Sequence, residues 1–357
     1  MAVISLKCPN CGGELVFDPS TQRYQCPYCM SDFSQQQVDA MQPQDQPSQE
    51  SETADFAEEK KEEINGQEEA VVYTCPSCGA EIVTDATTAA TFCYYCHNPV
   101  VLSGRVSGEY LPKWIIPFSI DRNTAENTFL ENVIKKKFVP KGFFEKKQIE
   151  KLTGVYFPYW MVDWKGQGYF QAKGTKVRVW RSGDTEYTET RYYDIYREGN
   201  LQFSELFKNA LKKANRKLVE GVLPYQLEKA KEFSVGYLSG FQAEKRDMEQ
   251  KEFQQEITQD TRQYAQDMLR DSVNGYSTVI PHHMDVRTRE EEWSYVMVPV
   301  WVITYKGSNG KMYYYAINGQ TGKVCGKLPV NYRKLGAVSA VISAAVFALA
   351  LVGGLLI

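Results

Sequence analysis

Eight of the nine cysteines in this 357-residue chain fall into two sets with identical spacing. In each set two C-x2-C pairs are separated by fourteen residues, and the second set lies sixty-seven residues after the first. A C-x2-C turn supplies two thiolates from one tight loop, and two such turns provide the four sulfur ligands of a tetrahedral zinc ion. The spacing predicts one site from Cys8, Cys11, Cys26 and Cys29 and a second from Cys75, Cys78, Cys93 and Cys96.

Four thiolates leave no open coordination position, so the predicted cofactor is structural Zn²⁺, one ion in each site, and not a catalytic metal. A module of about thirty residues has too small a core to fold alone, and metal binding would supply the missing stability. Iron held by four cysteines stays an alternative, because the ligands alone barely distinguish the two metals.

Other cysteine chemistry fits the pattern less well. Disulfides need an oxidising compartment, and residues 1–7 do not resemble the start of a signal peptide. Cys93 to His97 matches the C-x-x-C-H haem-attachment pattern, but Met30 replaces the histidine in the first copy, and haem would leave Cys75 and Cys78 unexplained.

No sequence motif indicates catalysis. The chain has no phosphate-binding G-x-x-x-x-G-K-[ST] run, no G-x-S-x-G nucleophile turn and no H-E-x-x-H pair. We therefore predict that the protein is not an enzyme, with no catalytic residues and no small-molecule substrate.

The net charge of −3 hides a strong asymmetry along the chain. Residues 34–69 carry eleven acidic side chains and two lysines, or −9, whereas residues 106–357 sum to +8. Few aromatic and many glutamine residues mean that this acidic segment cannot bury enough apolar surface to offset chain entropy. We expect a disordered linker over 34–70, between ribbon 1 (residues 1–33) and ribbon 2 (residues 71–105).

The C-terminal residues 335–357 contain no charged side chain. As a helix they would span about 34 Å, enough for a hydrocarbon core of about 30 Å. Lys323, Lys327, Arg333 and Lys334 precede this segment, and basic residues favour the cytoplasmic side of a membrane. The sequence predicts a single-pass protein of the cell membrane, anchored by a transmembrane helix, with its N-terminal bulk in the cytoplasm.

Residues 106–332 hold all six tryptophans and mix helical with strand patterns. Asn123 followed by Glu126 predicts a helix that starts with a capping box and ends near Lys137, and a second helical pattern runs from about Phe241 to Val273. Aromatic and β-branched runs around them predict strands, which indicates an α+β domain with antiparallel sheets.

A weaker repeat lies within this domain. The motif P-x-W-x3-aromatic-K-G starts at Pro158 and again at Pro299, each time inside an apolar run. A proline within a strand favours an edge or bulge position. The predicted fold is thus multidomain: two small four-cysteine zinc ribbons of short β-strands, the α+β domain over 106–332, and one transmembrane helix over 335–357.

Charge indicates what the ribbons contact. A nucleic-acid module should cluster lysine and arginine, because phosphate neutralisation dominates its affinity. Each ribbon instead sums to −1, and the linker would repel a polyanion. Protein partners are therefore favoured, and a membrane-tethered nucleic-acid-binding regulator is the alternative.

The knuckles CPNCGGEL and CPYC resemble TFIIB-type zinc ribbons. Together with YLSGFQAEKRDMEQ, NGQTGKVCGKLP and the apolar tail, they make the chain similar to the YdjG-like family of bacterial membrane proteins. That resemblance implies a zinc-ribbon membrane adaptor that works with PspA-like and SPFH (flotillin-like) proteins in envelope stress. On this hypothesis, both ribbons extend on the flexible linker to capture a cytoplasmic partner.

Overall fold

The computed structural model describes residues 3–41, 70–93, 95–140, 152–306 and 311–355, so most of the predicted linker lies outside the described residues. The chain forms two compact units. Unit 1 comprises Met1–Pro158, Leu211–Asp247 and Val296–Ile357, and unit 2 comprises Tyr159–Ala210 and Met248–Tyr295. The predicted α+β domain over 106–332 contributes residues to both units.

The two ribbons are built from short antiparallel strands. Strands β2, β3 and β4 form a three-stranded sheet in ribbon 1, and β5 and β6 form a two-stranded sheet in ribbon 2. The elements are β1 (Val3–Ile4), β2 (Val16–Asp18), β3 (Arg23–Gln25), β4 (Asp32–Phe33), helix α1 (Gln35–Met41), β5 (Ala70–Thr74), β6 (Glu81–Asp85), β7 (Thr88–Phe92) and β8 (Pro99–Leu102).

Helix α1 corrects the predicted linker, which we expected to be disordered from residue 34. The sequence composition gave no sign of this helix, but its Val38 is fully buried. The Gln35 side chain accepts a hydrogen bond from the Tyr24 hydroxyl and donates one of 3.1 Å to Ser234 Oγ. These contacts order the first turns after ribbon 1.

Ribbon 1 packs on a 3-10 turn at Val235–Leu238. The ring of Tyr237 lies 5.2 Å from that of Phe17, which in turn lies 5.4 Å from Tyr24. The Phe17 amide donates to the Ser239 carbonyl at 3.1 Å, and the Ser239 hydroxyl donates to the Leu15 carbonyl at 2.5 Å. Ribbon 1 is therefore docked on the rest of unit 1, contrary to the expectation that it extends freely on a linker.

Ribbon 2 is joined to the same unit through its strands. Strand β7 pairs antiparallel with β13 (Gln242–Glu244), and β8 pairs antiparallel with β1 of ribbon 1. Lys213 Nζ adds ion pairs to Asp85 at 2.5 Å and to Glu244 at 3.0 Å. Both ribbons are thus integral parts of unit 1.

The remaining elements complete an α+β architecture and confirm the predicted fold class. Most strand pairs are antiparallel, and two short pairs are parallel. The elements are β9 (Trp114–Ile115), α2 (Arg122–Ile134), β10 (Thr153–Ser182), β11 (Thr185–Asn209), α3 (Arg216–Val219), β12 (Lys231–Glu232), α4 (Gln250–Asp271), β14 (Thr278–Lys306), β15 (Met312–Asn318), β16 (Val324–Gly326) and α5 (Tyr332–Leu355).

The internal proline repeat has a structural counterpart in β10 and β14. In β10, Val155 pairs in parallel with β13, and from Tyr159 onward the strand pairs antiparallel with β11. In β14, Val296 pairs in parallel with β9, and from Val300 onward the strand pairs antiparallel with β15. In both strands the proline lies between the segment that pairs with the first partner strand and the segment that pairs with the second. A residue at such a position can lack a backbone donor without losing a ladder hydrogen bond. This explains the prolines better than the edge or bulge that we expected.

In unit 2, β10 and β11 form one long antiparallel hairpin whose register runs from Tyr159↔Asn209 to Ser182↔Thr185. Helix α4 packs against it through a buried stripe spaced four residues apart, Phe253, Ile257, Thr261, Ala265 and Leu269. Gly168 allows this close packing, because a Cβ there would lie 2.8 Å from a methyl carbon of Leu269.

Both predicted helices begin at other residues than expected. Asp121, and not Asn123, caps α2 by accepting a hydrogen bond from the Thr124 amide at 2.8 Å. Helix α4 begins only at Gln250, where Glu249 and Glu252 form a capping box. The residues predicted as its first turns instead include strand β13.

Helix α5 is the candidate membrane span. Its first 18 residues, Tyr332–Leu349, have a mean hydropathy of 1.4, and none of that window is buried inside the protein. Because the rest of the described chain buries none of this apolar window, a bilayer would provide the apolar environment that it lacks.

Deleting residues 335–357 should release the protein from membranes, because it removes the apolar part of α5. Alkaline extraction of membrane fractions measures this directly. Recovery of the truncated chain in the extracted pellet would contradict the role of α5 as an anchor.

Replacing Tyr237 with alanine should undock ribbon 1, because it removes a buried ring that contacts Phe17. We expect a loss of about 3 kcal/mol of stability and faster hydrogen exchange across residues 14–26. Tyr187→Ala is the matched control, since Tyr187 is an exposed tyrosine of the unit 2 hairpin. Equal exchange in both variants would contradict the docking.

Candidate metal centres

Each C-x2-C pair forms the same backbone knuckle. The carbonyl of the first cysteine accepts a hydrogen bond from the amide four residues later, and its amide donates to the carbonyl five residues later. These paired bonds turn the chain tightly, so that both thiols of a pair face one point. The amide donors to the carbonyls of Cys8, Cys26, Cys75 and Cys93 are Gly12, Met30, Gly79 and His97, at 2.8 to 2.9 Å.

The residue after the second cysteine of each knuckle adopts the left-handed backbone conformation. Glycine fills this position in the first knuckle of each ribbon, with φ of 74° at Gly12 and 73° at Gly79. Met30 and His97 adopt it in the second knuckles, with φ of 59° and 58°. His97 therefore occupies a backbone position that Met30 fills equally well, which accounts for the C-x-x-C-H pattern without a haem.

The structure brings together the four thiols of each predicted set. Within each set the four sulfur atoms lie within 4.8 Å of one another. Among the described residues, these two sets are the groups of histidine, cysteine or acidic side chains that could hold a metal ion. The closest sulfur pairs are Cys8–Cys29 at 3.6 Å, Cys11–Cys26 at 3.5 Å, Cys75–Cys96 at 3.7 Å and Cys78–Cys93 at 3.7 Å.

These distances fit a metal. A tetrahedron with zinc–sulfur bonds of about 2.3 Å has sulfur–sulfur edges of about 3.8 Å. The closest pairs match that edge to within about 0.3 Å, and the same crosswise pairing of first and last cysteines recurs in both ribbons. Each group of four thiols can therefore enclose one ion.

The pKa values of two thiols in ribbon 1 are shifted in opposite directions. Hydrogen bonds from Ser31 lower the pKa of Cys29 to about 6, so this thiolate forms readily. The Gly13 amide lowers the pKa of Cys11, but hydrogen bonding to Cys29 and Cys26 outweighs this effect and raises it to about 12. A bound cation would favour the ionised form of all four thiols in the group.

Small cores hold the knuckles in place. The first cysteine of every knuckle is buried, whereas the second is exposed or half-buried. In ribbon 2, Cys75 and Cys93 pack in one cluster with Tyr73, Ile82, Val100 and Leu102. Because Cys75 and Cys93 belong to this cluster, a metal in the site and the core around it would stabilise each other.

Sequence reasoning missed a contact between the two sites. The Ser77 hydroxyl, between Cys75 and Cys78, donates a hydrogen bond to Glu14 of ribbon 1. The only signal in the sequence was that Glu14 recurs with its neighbours Gly12 and Val16 in the second copy. Recurrence showed that the modules are alike, but it could not show that they touch.

Replacing Cys75 and Cys78 with serine should remove one of two metal ions per chain and unfold ribbon 2 locally, because two of four ligands are lost. Metal analysis of the purified protein together with hydrogen exchange over residues 71–105 tests this. Cys325→Ser is the matched control, as that cysteine lies outside both sets. Two ions per chain in the double variant would contradict the ligand assignment.

Comparison with known proteins places the chain in a family. No protein-family model matches the chain, and no solved structure does. The chain is 31% identical over 335 residues to a protein of Bacillus subtilis (strain 168) described as "Uncharacterized protein YdjG". The match covers 94% of this chain and 93% of that protein. The chain therefore belongs to the YdjG family.

Proposed function

We propose that the protein is a membrane-anchored zinc-ribbon adaptor that recruits or scaffolds protein partners and has no catalytic activity of its own. One observation carries this proposal. The second knuckles of the two ribbons hold the largest exposed side chains of the metal centres, with Tyr28 68% exposed, Met30 67% and Tyr95 72%. Exposed aromatic residues and methionine are enriched at the cores of protein–protein interfaces.

The chemistry of the sites supports a structural role for the metal. Four sulfurs fill the coordination sphere of zinc, which leaves no position for a water or a substrate. A closed zinc site supplies folding energy to a small module and takes no part in a reaction. We therefore assign Zn²⁺ to both groups, with Cys8, Cys11, Cys26, Cys29, Cys75, Cys78, Cys93 and Cys96 as ligands.

The packing of ribbon 1 supports its second knuckle as the surface that contacts a partner. Its sheet uses Phe17 and Tyr24 to dock on Tyr237, whereas Tyr28 and Met30 are left to solvent at the second knuckle. The ribbon therefore presents a rigid, preordered tip, and binding through it loses little conformational entropy. The slight negative charge of both ribbons supports a protein partner over a polyanion.

Anchoring would make even a weak contact effective. Helix α5 would hold the ribbons at the membrane, where a membrane-associated partner has a high effective concentration. The YdjG-like resemblance implies PspA-like and SPFH-like partners in an envelope stress response, with the bulk of the chain in the cytoplasm. We include these partners and this cytoplasmic orientation in the proposal.

Photo-crosslinking in membranes tests the proposal. A benzophenone amino acid at position 28 or 95 of the full chain should give discrete adducts with PspA-like or SPFH-like proteins. The matched control is position 192, because Tyr192 is 79% exposed and lies on the unit 2 hairpin. The same adducts at all three positions would contradict a knuckle-tip interface. Nuclease-sensitive adducts at positions 28 and 95 would instead support a nucleic-acid-binding regulator.

A further inference from the structure

The two ribbons meet beside their metal sites. Lys7, which precedes Cys8, forms a β-bridge with Glu14, just beyond the first knuckle of ribbon 1. The Lys7 ammonium lies 3.1 Å from Glu14 Oε1 and 3.2 Å from the Ser77 hydroxyl. Ser77 donates to the same Glu14 oxygen and sits inside the first knuckle of ribbon 2. Glu14 thus contacts backbone segments that carry ligands of both sites.

Glu14 depends on these contacts. Its side chain is only 4% exposed, and Oε2 finds no hydrogen-bond partner among the described residues. A buried carboxylate with one unsatisfied oxygen is costly, so its two partners are needed to offset that cost. If ribbon 2 unfolded and withdrew Ser77, Glu14 would lose one of them, and ribbon 1 would be destabilised.

A second link runs through the strand before Cys8. In the pairing of β1 with β8, Val3 lies opposite Leu102 and Ile4 opposite Val101. Leu102 belongs to the buried cluster that also holds Cys75 and Cys93. The strand that leads into the first metal site therefore pairs with a strand that closes the core of the second.

From these contacts we infer that the two metal sites bind cooperatively: an ion in one site raises the affinity of the other, and Glu14 carries the coupling. This inference rests on the zinc assignment of the proposed function. A ribbon is expected to need its ion to fold. An empty site in ribbon 2 would therefore withdraw Ser77, one of the two side chains that contact Glu14. By thermodynamic reciprocity each site must affect the other equally, and we expect a coupling of about tenfold.

Native mass spectrometry of the full chain in detergent micelles, titrated with Zn²⁺ against a chelator, measures the coupling. In the wild-type chain the one-zinc species should be depleted below the statistical proportion at half saturation. Glu14→Gln and Ser77→Ala should still bind two ions at saturation but bring the one-zinc species closer to the statistical proportion. Asp18→Asn and Thr21→Ala are matched controls, because these residues hydrogen-bond to each other within ribbon 1.

Two results would overturn the inference. A one-zinc population at or above the statistical proportion in the wild-type chain, unchanged in both variants, would show that the sites are independent while leaving the zinc assignment intact. Unchanged depletion in both Glu14→Gln and Ser77→Ala would remove Glu14 as the carrier. Failure of the wild-type chain to bind zinc would instead refute the proposed function, on which the inference rests.

Discussion

Four thiols held within 4.8 Å of one another are the constraint on which the rest of the structure depends. Four ionised thiols this close together repel one another, and a divalent cation would offset that repulsion. With a divalent ion in each site, the four knuckles would hold together two modules that are too small to fold by apolar burial alone. The contact between Glu14 and Ser77 lies directly beside these knuckles.

The ribbons serve unit 1 as structural parts. Ribbon 2 contributes β7 and β8 to the sheet that includes β13, and ribbon 1 contributes β1. A ring cluster centred on Tyr237 then fixes ribbon 1 to the segment YLSGFQAE, which is part of one of the runs that carry the resemblance to the YdjG-like family. Because the ribbons are docked, a partner would contact an already ordered knuckle. Loss of the metal from one ribbon would also disturb the parts of unit 1 that pack against that ribbon.

The local features of the molecule could be predicted from the sequence, and the long-range ones could not. A knuckle is encoded in six consecutive residues, so cysteine spacing alone gathers the correct thiols. The 23-residue apolar run likewise indicates α5 on its own. By contrast, helix α1 depends on a contact far along the chain, because Gln35 donates to Ser234 Oγ while Val38 is fully buried. The same applies to the hairpin of β10 and β11, where separate aromatic runs join into strands of 30 and 25 residues through cross-strand pairing. The contact of Glu14 with Ser77 also joins residues sixty-three positions apart.

Each set of four cysteines should enclose one closed zinc ion. X-ray absorption spectroscopy of the purified chain at the zinc K-edge measures the ligands of such an ion. We expect two zinc ions per chain, each with four sulfur neighbours at about 2.3 Å and no nitrogen or oxygen neighbour. A protein without zinc, or a spectrum that requires light-atom ligands or fewer than four sulfurs, would contradict this expectation.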